Sequence, residues 1–336
     1  MNYIILFAVA LLLTFLLTVL ILRRLIPILK SRKMGQTILE IGPRWHKGKE
    51  GTPTMGGVSF IIASFITGFL GCVYIIVIDG LTATLPFMLT LAFAVAAGII
   101  GCVDDSAKLR KKQNEGLTAL QKYALQFLVS GIYLVAMRII CRRFSTEMFV
   151  PFLGKTVDFG VFYYIISMVL LTGFLNAVNL TDGIDGLCSS VTLIFGIFVT
   201  AAAYVIGGAS PDGGTVLLGA IMIGGTGGFL VYNFYPARVF MGDTGSLFLG
   251  ALVVGAGFIM NNPLIVIIPG IIYIIETVSV ILQVLYFKIT HGKRLFKMSP
   301  IHHHFEKCGW SEIRIVIVFS IVTVLFSVLA VLFGLK

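Results

Sequence analysis

The sequence is poor in charge. Of 336 residues, only 12% are Asp, Glu, Lys or Arg, against 58% that are hydrophobic. A soluble globular chain is roughly 25% charged, so an ordinary water-exposed surface is excluded. Cysteine is scarce and scattered: Cys72, Cys102, Cys141, Cys188 and Cys308 include no C-x-x-C pair. That spacing excludes a disulfide framework and a zinc pattern, and leaves small packing residues. No G-x-x-x-x-G-K-[ST] stretch occurs, which speaks against an ATP-driven pump. No internal repeat is clear enough to support an inverted-repeat transporter. The first apolar run, residues 3–22, has no charged n-region and no small-residue cleavage site. A retained membrane helix is therefore expected there, not a cleaved signal peptide.

What the chain has instead is apolar runs of membrane length. A hydrocarbon core of ~30 Å needs ~20 apolar residues per helix, and backbone groups in lipid must be satisfied within the segment. The expected fold is a single-domain, all-α polytopic membrane protein over residues 1–336. Ten spans are expected, at roughly 3–29, 55–78, 82–103, 119–140, 160–179, 186–206, 214–232, 244–260, 263–289 and 313–334. Placing both termini outside makes the loops 30–54, 104–118, 180–185, 233–243 and 290–312 cytoplasmic. Of the 25 lysines and arginines, only Arg138, Arg142, Arg143, Lys155 and Lys336 then fall outside, which leaves 20 inside. The positive-inside rule supports this choice. The net charge of +10 belongs largely to the cytoplasmic face, where it suits anionic headgroups or an anionic substrate. The outer segment 141–158, with Pro151 and Gly154, fits a short hairpin or loop. Gly224, Gly225, Gly227 and Gly228 in the seventh span fit close helix packing better than a phosphate loop.

With this topology Asp104, Asp105, Asp182, Asp185 and Asp243 converge at cytoplasmic helix ends. Asp104 and Asp105 are expected to end the third span. Two carboxylates suit the partial negative charge of a helix C-terminus poorly, so a cation is expected beside them, either Mg²⁺ or Lys108 one turn on. Asp182 with Asp185, and Asp243 with Ser246, have the spacing to cap the sixth and eighth spans. Such helix N-termini also present free N–H groups to phosphate. Mg²⁺ takes one or two carboxylates and fills its other positions with water and phosphate, so five aspartates need not all be ligands. His302, His303 and His304 are consecutive and diverge by ~100° each on a helix. That and the lack of Cys partners speak against zinc and for phosphate contact. Glu276 and Gln283 lie inside the ninth span, where polar groups mark function or an interhelical bond.

Five stretches carry a resemblance. They are Thr52-Pro53-Thr54-Met55-Gly56-Gly57, Asp104-Asp105-Ser106-Ala107-Lys108, Asn179 through Gly186, Asn233 through Ser246, and Ser299 through Glu306. In these, and in their order along the chain, the sequence resembles the polyprenyl-phosphate N-acetylhexosamine-1-phosphate transferases. The histidine-rich stretch is similar to the phospho-N-acetylmuramoyl-pentapeptide transferase branch. The resemblance implies a multi-pass protein of the bacterial cell membrane, usually a dimer, with its active site facing the cytoplasm. It implies transfer of phospho-MurNAc-pentapeptide from its UDP carrier to undecaprenyl phosphate, giving lipid I and UMP, with Mg²⁺ as cofactor. Membrane lipid is expected as a further partner, and nucleic acid is not.

By the same resemblance Asp243 holds Mg²⁺. Asp104 is the base for the lipid phosphate, with Asp105 beside it, and Lys108 and Lys122 contact phosphates. Asn179, Asp182 and Asp185 face the nucleotide and sugar. Phe240 stacks on uracil, Gln283 adds a polar contact, and Asn233 and His304 line the substrate. His302 and His303 contact phosphates or orient their neighbours, and Lys47 or Lys49 reaches the nucleotide. Two competing readings remain: a transferase using UDP-N-acetylglucosamine, and a secondary transporter. Transporter carboxylates sit near the membrane midplane, whereas only Glu276 lies that deep here.

Overall fold

The computed structural model describes residues 2–32, 49–111, 116–143, 145–151, 153–208 and 210–335. Ten of its helices are long and apolar enough to cross a membrane, with lengths from 18 to 29 residues. In chain order they are α1 (Asn2–Ser31), α2 (Val58–Asp79), α3 (Leu81–Lys111), α4 (Ala119–Ile139), α5 (Phe162–Thr181), α6 (Leu187–Gly207), α7 (Gly213–Asn233), α8 (Gly242–Ile259), α9 (Ile271–Ile289) and α11 (Glu312–Leu329). A short helix α10 (Ile301–Lys307) precedes the last of them. The segment 141–158 forms the expected hairpin, β1 (Glu147–Val150) antiparallel to β2 (Lys155–Asp158).

Two boundaries differ from the sequence expectation. The third span runs on past 103 to Lys111, so Asp104 and Asp105 lie within α3 and not at its end. Lys108 sustains this polar extension by an i,i+4 ion pair with Asp104 at 2.7 Å. The ninth span does not start at 263. Pro263–Ile267 is a 3₁₀ turn, and α9 begins only at Ile271.

The core is built around α7 and α8. Inside the protein lie 78% of the apolar stretch of α7 and 89% of that of α8, against 22% for α1 and α9. α8 packs chiefly on α3 and α5, and α7 on α1 and α6. Apolar side chains give no net gain from meeting each other in lipid, so helix association there depends on close van der Waals approach. Glycines supply it. A Cβ on Gly224 or Gly228 would run into the backbone oxygens of Leu11 and Phe15 on α1, which confirms the packing role expected of these glycines. Gly57, before α2, lies against the Gly245 backbone of α8, and Gly250 lies against Leu175 of α5. The outward faces stay apolar: Val278, Ile281, Leu282 and Leu285 of α9 are all exposed.

Gly57→Ala tests this clasp. The added methyl would overlap backbone atoms of Gly245 and cannot be relieved by a rotamer change. Overpacking of this kind costs about 1–3 kcal/mol, so the variant should unfold at a lower temperature in detergent. Gly131→Ala on α4 meets nothing within 4 Å and should hold or raise the midpoint. Equal midpoints for the two variants would rule the clasp out.

Candidate active site

The site is assembled at one end of α3, α4, α5 and α8. The first four N–H groups of a helix lack intrahelical partners, and α8 carries no side-chain cap of its own. Asp105 of α3 supplies it. Its carboxylate accepts from the Asp243 N–H at 3.2 Å, the Thr244 N–H at 2.9 Å and the Thr244 hydroxyl at 2.7 Å. The Asp243–Ser246 cap expected from spacing is therefore not the one used. Asp243 sits in the first turn of α8, and the Ser246 hydroxyl donates to the Gly242 carbonyl. Gly242 takes a φ of +69°, a left-handed conformation that glycine adopts without steric cost. A Cβ there would crowd Asp105 Oδ2.

With both Asp105 oxygens committed, Asp104 and Asp243 remain. Lys108 Nζ lies 2.7 Å from Asp104 Oδ2 and 2.7 Å from Asp243 Oδ2. Lys122 Nζ on α4 lies 2.8 Å from the same Asp243 oxygen. Asn179 Nδ2 donates to Asp243 Oδ1 and to Ser246 Oγ, both at 2.7 Å. The Leu117 N–H donates to Asp104 Oδ1 at 2.7 Å. Oxygens of Asp104, Asp105 and Asp243 come within 4.8 Å of one another and could hold a metal ion. The donor set fits a hard divalent cation, which prefers carboxylate oxygen. The Lys108 ammonium, shared by Asp104 and Asp243, marks where positive charge is wanted.

The last turn of α5 from Asn179, with the loop that follows it to Gly186, forms the adjoining wall. Asp182 does not cap α6. It occupies the C-cap position of α5, and Gly186, in a left-handed conformation, precedes α6. Asp185 is held at both carboxylate oxygens and at its backbone N–H. Its carboxylate meets Lys49 Nζ at 2.7 Å and accepts from the Ala237 N–H at 2.8 Å, while its own N–H donates to Glu312 at 3.0 Å. Lys49 also meets Glu312 at 2.7 Å. Asn233 is buried. Its side chain accepts from the Gly186 N–H and the Ser189 hydroxyl, and donates to the Val239 carbonyl. Phe240 is half-buried and its backbone bonds to Pro53 and Gly56.

The histidines diverge as their spacing requires. His302 is fully buried beside Glu276. His303 Nδ1 lies 2.6 Å from Glu306. His304 accepts from the Lys297 N–H at 3.1 Å and faces Phe296 and Phe305. Gln283 accepts from the Phe296 N–H at 2.8 Å, joining α9 to the segment before α10. Lys47 lies outside the described residues. Sequence reasoning missed Glu312, an acid in the first turn of α11, and Thr244, whose partner is 139 positions away.

Asp182 carries an energetic cost. Burial holds its carboxyl well above the usual carboxylate range, and the fields of Asp243, Asp105 and Asp185 add to the shift. A raised folded-state value means stability is lost as pH climbs above the unfolded value of ~3.9. Asp182→Asn should therefore raise the thermal midpoint of the ligand-free protein at pH 8, by a margin that shrinks toward pH 5. A gain that is the same at both pH values, or no gain, would show that Asp182 carries no such charge penalty.

A family model for glycosyl transferase family 4 matches residues 87–261. A phospho-N-acetylmuramoyl-pentapeptide-transferase signature matches residues 49–61, around the loop that bonds to Phe240. Proteins named phospho-N-acetylmuramoyl-pentapeptide-transferase align over nearly the full length. That of Clostridium perfringens strain 13 is 47% identical, with 91% of this chain and 92% of the relative covered. Those of Clostridium novyi and Clostridioides difficile are 46% and 41% identical, over 92% and 96% of this chain and 90% and 95% of the relatives. On this identity and coverage, the chain belongs to the phospho-N-acetylmuramoyl-pentapeptide-transferase family.

Proposed function

We propose that the chain transfers phospho-MurNAc-pentapeptide from UDP-MurNAc-pentapeptide to undecaprenyl phosphate, giving lipid I and UMP. The observation that carries this reading is the Asp104–Lys108–Asp243–Lys122 cluster at one end of a membrane bundle. An oxygen of the lipid phosphate attacks the phosphorus that bears the sugar. The anhydride bond to UMP breaks, and UMP leaves with the bond's electron pair. One phosphoanhydride is exchanged for another, so no external energy source is needed. The obstacle is bringing two phosphate anions together, which positioning and cationic groups can overcome.

Asp243, with Asp104 near it, would hold Mg²⁺. When bound, the ion would supply positive charge that neutralises the charge developing on the phosphates. Asp104 takes any proton left on the acceptor phosphate. Lys108 and Lys122 turn from Asp243 to the phosphates. Asn179 keeps Asp243 oriented through Oδ1. Asp105 acts by setting the α8 N-terminus that carries Asp243. Asn179, Asp182 and Asp185 face the nucleotide and sugar, Phe240 stacks on uracil, and Gln283, Asn233 and His304 line the substrate. Five of these already have protein partners in the ligand-free fold: the side chains of Asn179, Asp185, Asn233, Gln283 and His304 are all hydrogen-bonded within the chain. The protein works as a dimer in the cell membrane, with its termini outside and this cluster facing the cytoplasm. The lysine and arginine bias across the loops supports that orientation.

UMP release by detergent-purified protein tests the reading. Supplied with polyprenyl phosphate and Mg²⁺, it should release UMP from UDP-MurNAc-pentapeptide and not from UDP-N-acetylglucosamine, and chelator should stop it. Release from the second donor alone would overturn the branch, and release from neither would overturn the reaction. Asp243→Asn should cut turnover by ~10²–10³-fold, in the range of removing a principal electrostatic group, in protein that stays folded. Full activity in that variant would remove Asp243 from the metal role.

A further inference from the structure

Glu276 and His302 are both fully buried, one on α9 and the other on α10. His302 Nδ1 lies 3.0 Å from Glu276 Oε1. The ring is not aligned for a hydrogen bond, and among the described residues neither side chain has another polar partner. An isolated carboxylate at membrane depth is costly and points to function. Here it faces one group, and that group is a histidine of the site.

The other edge of the imidazole explains what the pair does. A Cβ on Gly183 would overlap His302 Nε2 and Cε1. The Nε2 edge of the ring therefore lies against Gly183, where only glycine leaves room. Its remaining flank is covered by His303, with ring centroids 4.1 Å apart. So His302 is fully buried against the loop. Asp185, two residues on, has its own ties to Lys49, Glu312 and the Ala237 N–H. Among the described residues Asp182 has no side-chain hydrogen bond. Its placement depends on the backbone at 183.

We propose that Glu276 is a positioning residue. It holds His302 as a brace beneath Gly183 and thereby sets Asp182 toward the sugar-nucleotide donor. The loop's contact with the donor rests on the function proposed above, whereas the brace itself does not.

The test uses the full chain in detergent. Glu276→Gln keeps the shape and removes the charge, and Gly183→Ala displaces the loop from the ring without touching α9. In both, hydrogen exchange across residues 180–186 should rise by ~5-fold or more, as for a locally released segment, while α8 keeps its protection. The Michaelis constant for the donor should rise by ~10-fold with that for polyprenyl phosphate unchanged. The double variant Glu276→Gln, His302→Gln should lose no more than His302→Gln alone, because coupled residues are not additive. Parental exchange at 180–186 in both variants, or additive losses in the double variant, would overturn the brace. If the parent protein shows no transfer but the variants still loosen the loop, the brace stands and the donor reading falls.

Discussion

Asp105 on α3 closes the N-terminus of α8, and the polar end of the bundle is arranged around that contact. Helix α8 is the most buried of the spans, and Thr244 in its first turn is itself buried. Its first residues, Gly242-Asp243-Thr244, provide no cap of their own. One carboxylate from a neighbouring helix satisfies two backbone donors and a hydroxyl. The same contact fixes the start of α8, and with it the direction in which Asp243 projects. A cap of this kind contributes ~1 kcal/mol in an ordinary helix. Its larger consequence here is registration: α3 and α8 cannot slide along each other without breaking it.

Around this fixed point the charges are unequal in their comfort. Asp104 and Asp243 share two lysines, and Asn179 takes the other oxygen of Asp243. Asp185 is held by a lysine and a backbone amide. Asp182 has the field of three other carboxylates and, among the described residues, no ion pair of its own. Stability is given up at that position, which is the pattern expected where a site must accept a charged ligand later. The two lysines on Asp243 have a related meaning. They stand in for positive charge that an anionic substrate and its cation would redistribute.

Much of the fold was legible because a helix in lipid satisfies its own backbone. Run length alone therefore located ten spans. It failed where polarity and helicity separate. Around Asp104 and Lys108 the sequence turns polar while an ion pair continues α3 to Lys111. At Pro263 the sequence stays apolar while the backbone leaves the α-helix until Ile271. The candidate carboxylates were legible as a set, since charge in so apolar a chain is conspicuous. Their partners were not. Capping rules look three residues along the chain, but Asp105 caps from 139 positions away, and Lys49 reaches Asp185 across 136. Such pairings exist only after the bundle has packed.

Packing and chemistry are consequently the same problem at this end of the molecule. Gly101 lies one turn before Asp105, and its missing side chain lets α3 touch the Asp243 carbonyl and the Thr244 nitrogen. Without that approach Asp105 could not reach the amides it caps. Gly57 and Gly245 bring the 49–57 segment against the same helix start, where the Gly56 and Gly57 N–H groups bond to Phe240 and Met241. In lipid, glycine contacts are what draw helices together. Placing them beside the aspartates makes close helix packing hold the charged groups. A polar cluster at the rim of an apolar bundle would otherwise be its weakest part, because water competes for every ion pair there. The glycines prevent this by leaving the carboxylates no other place to go.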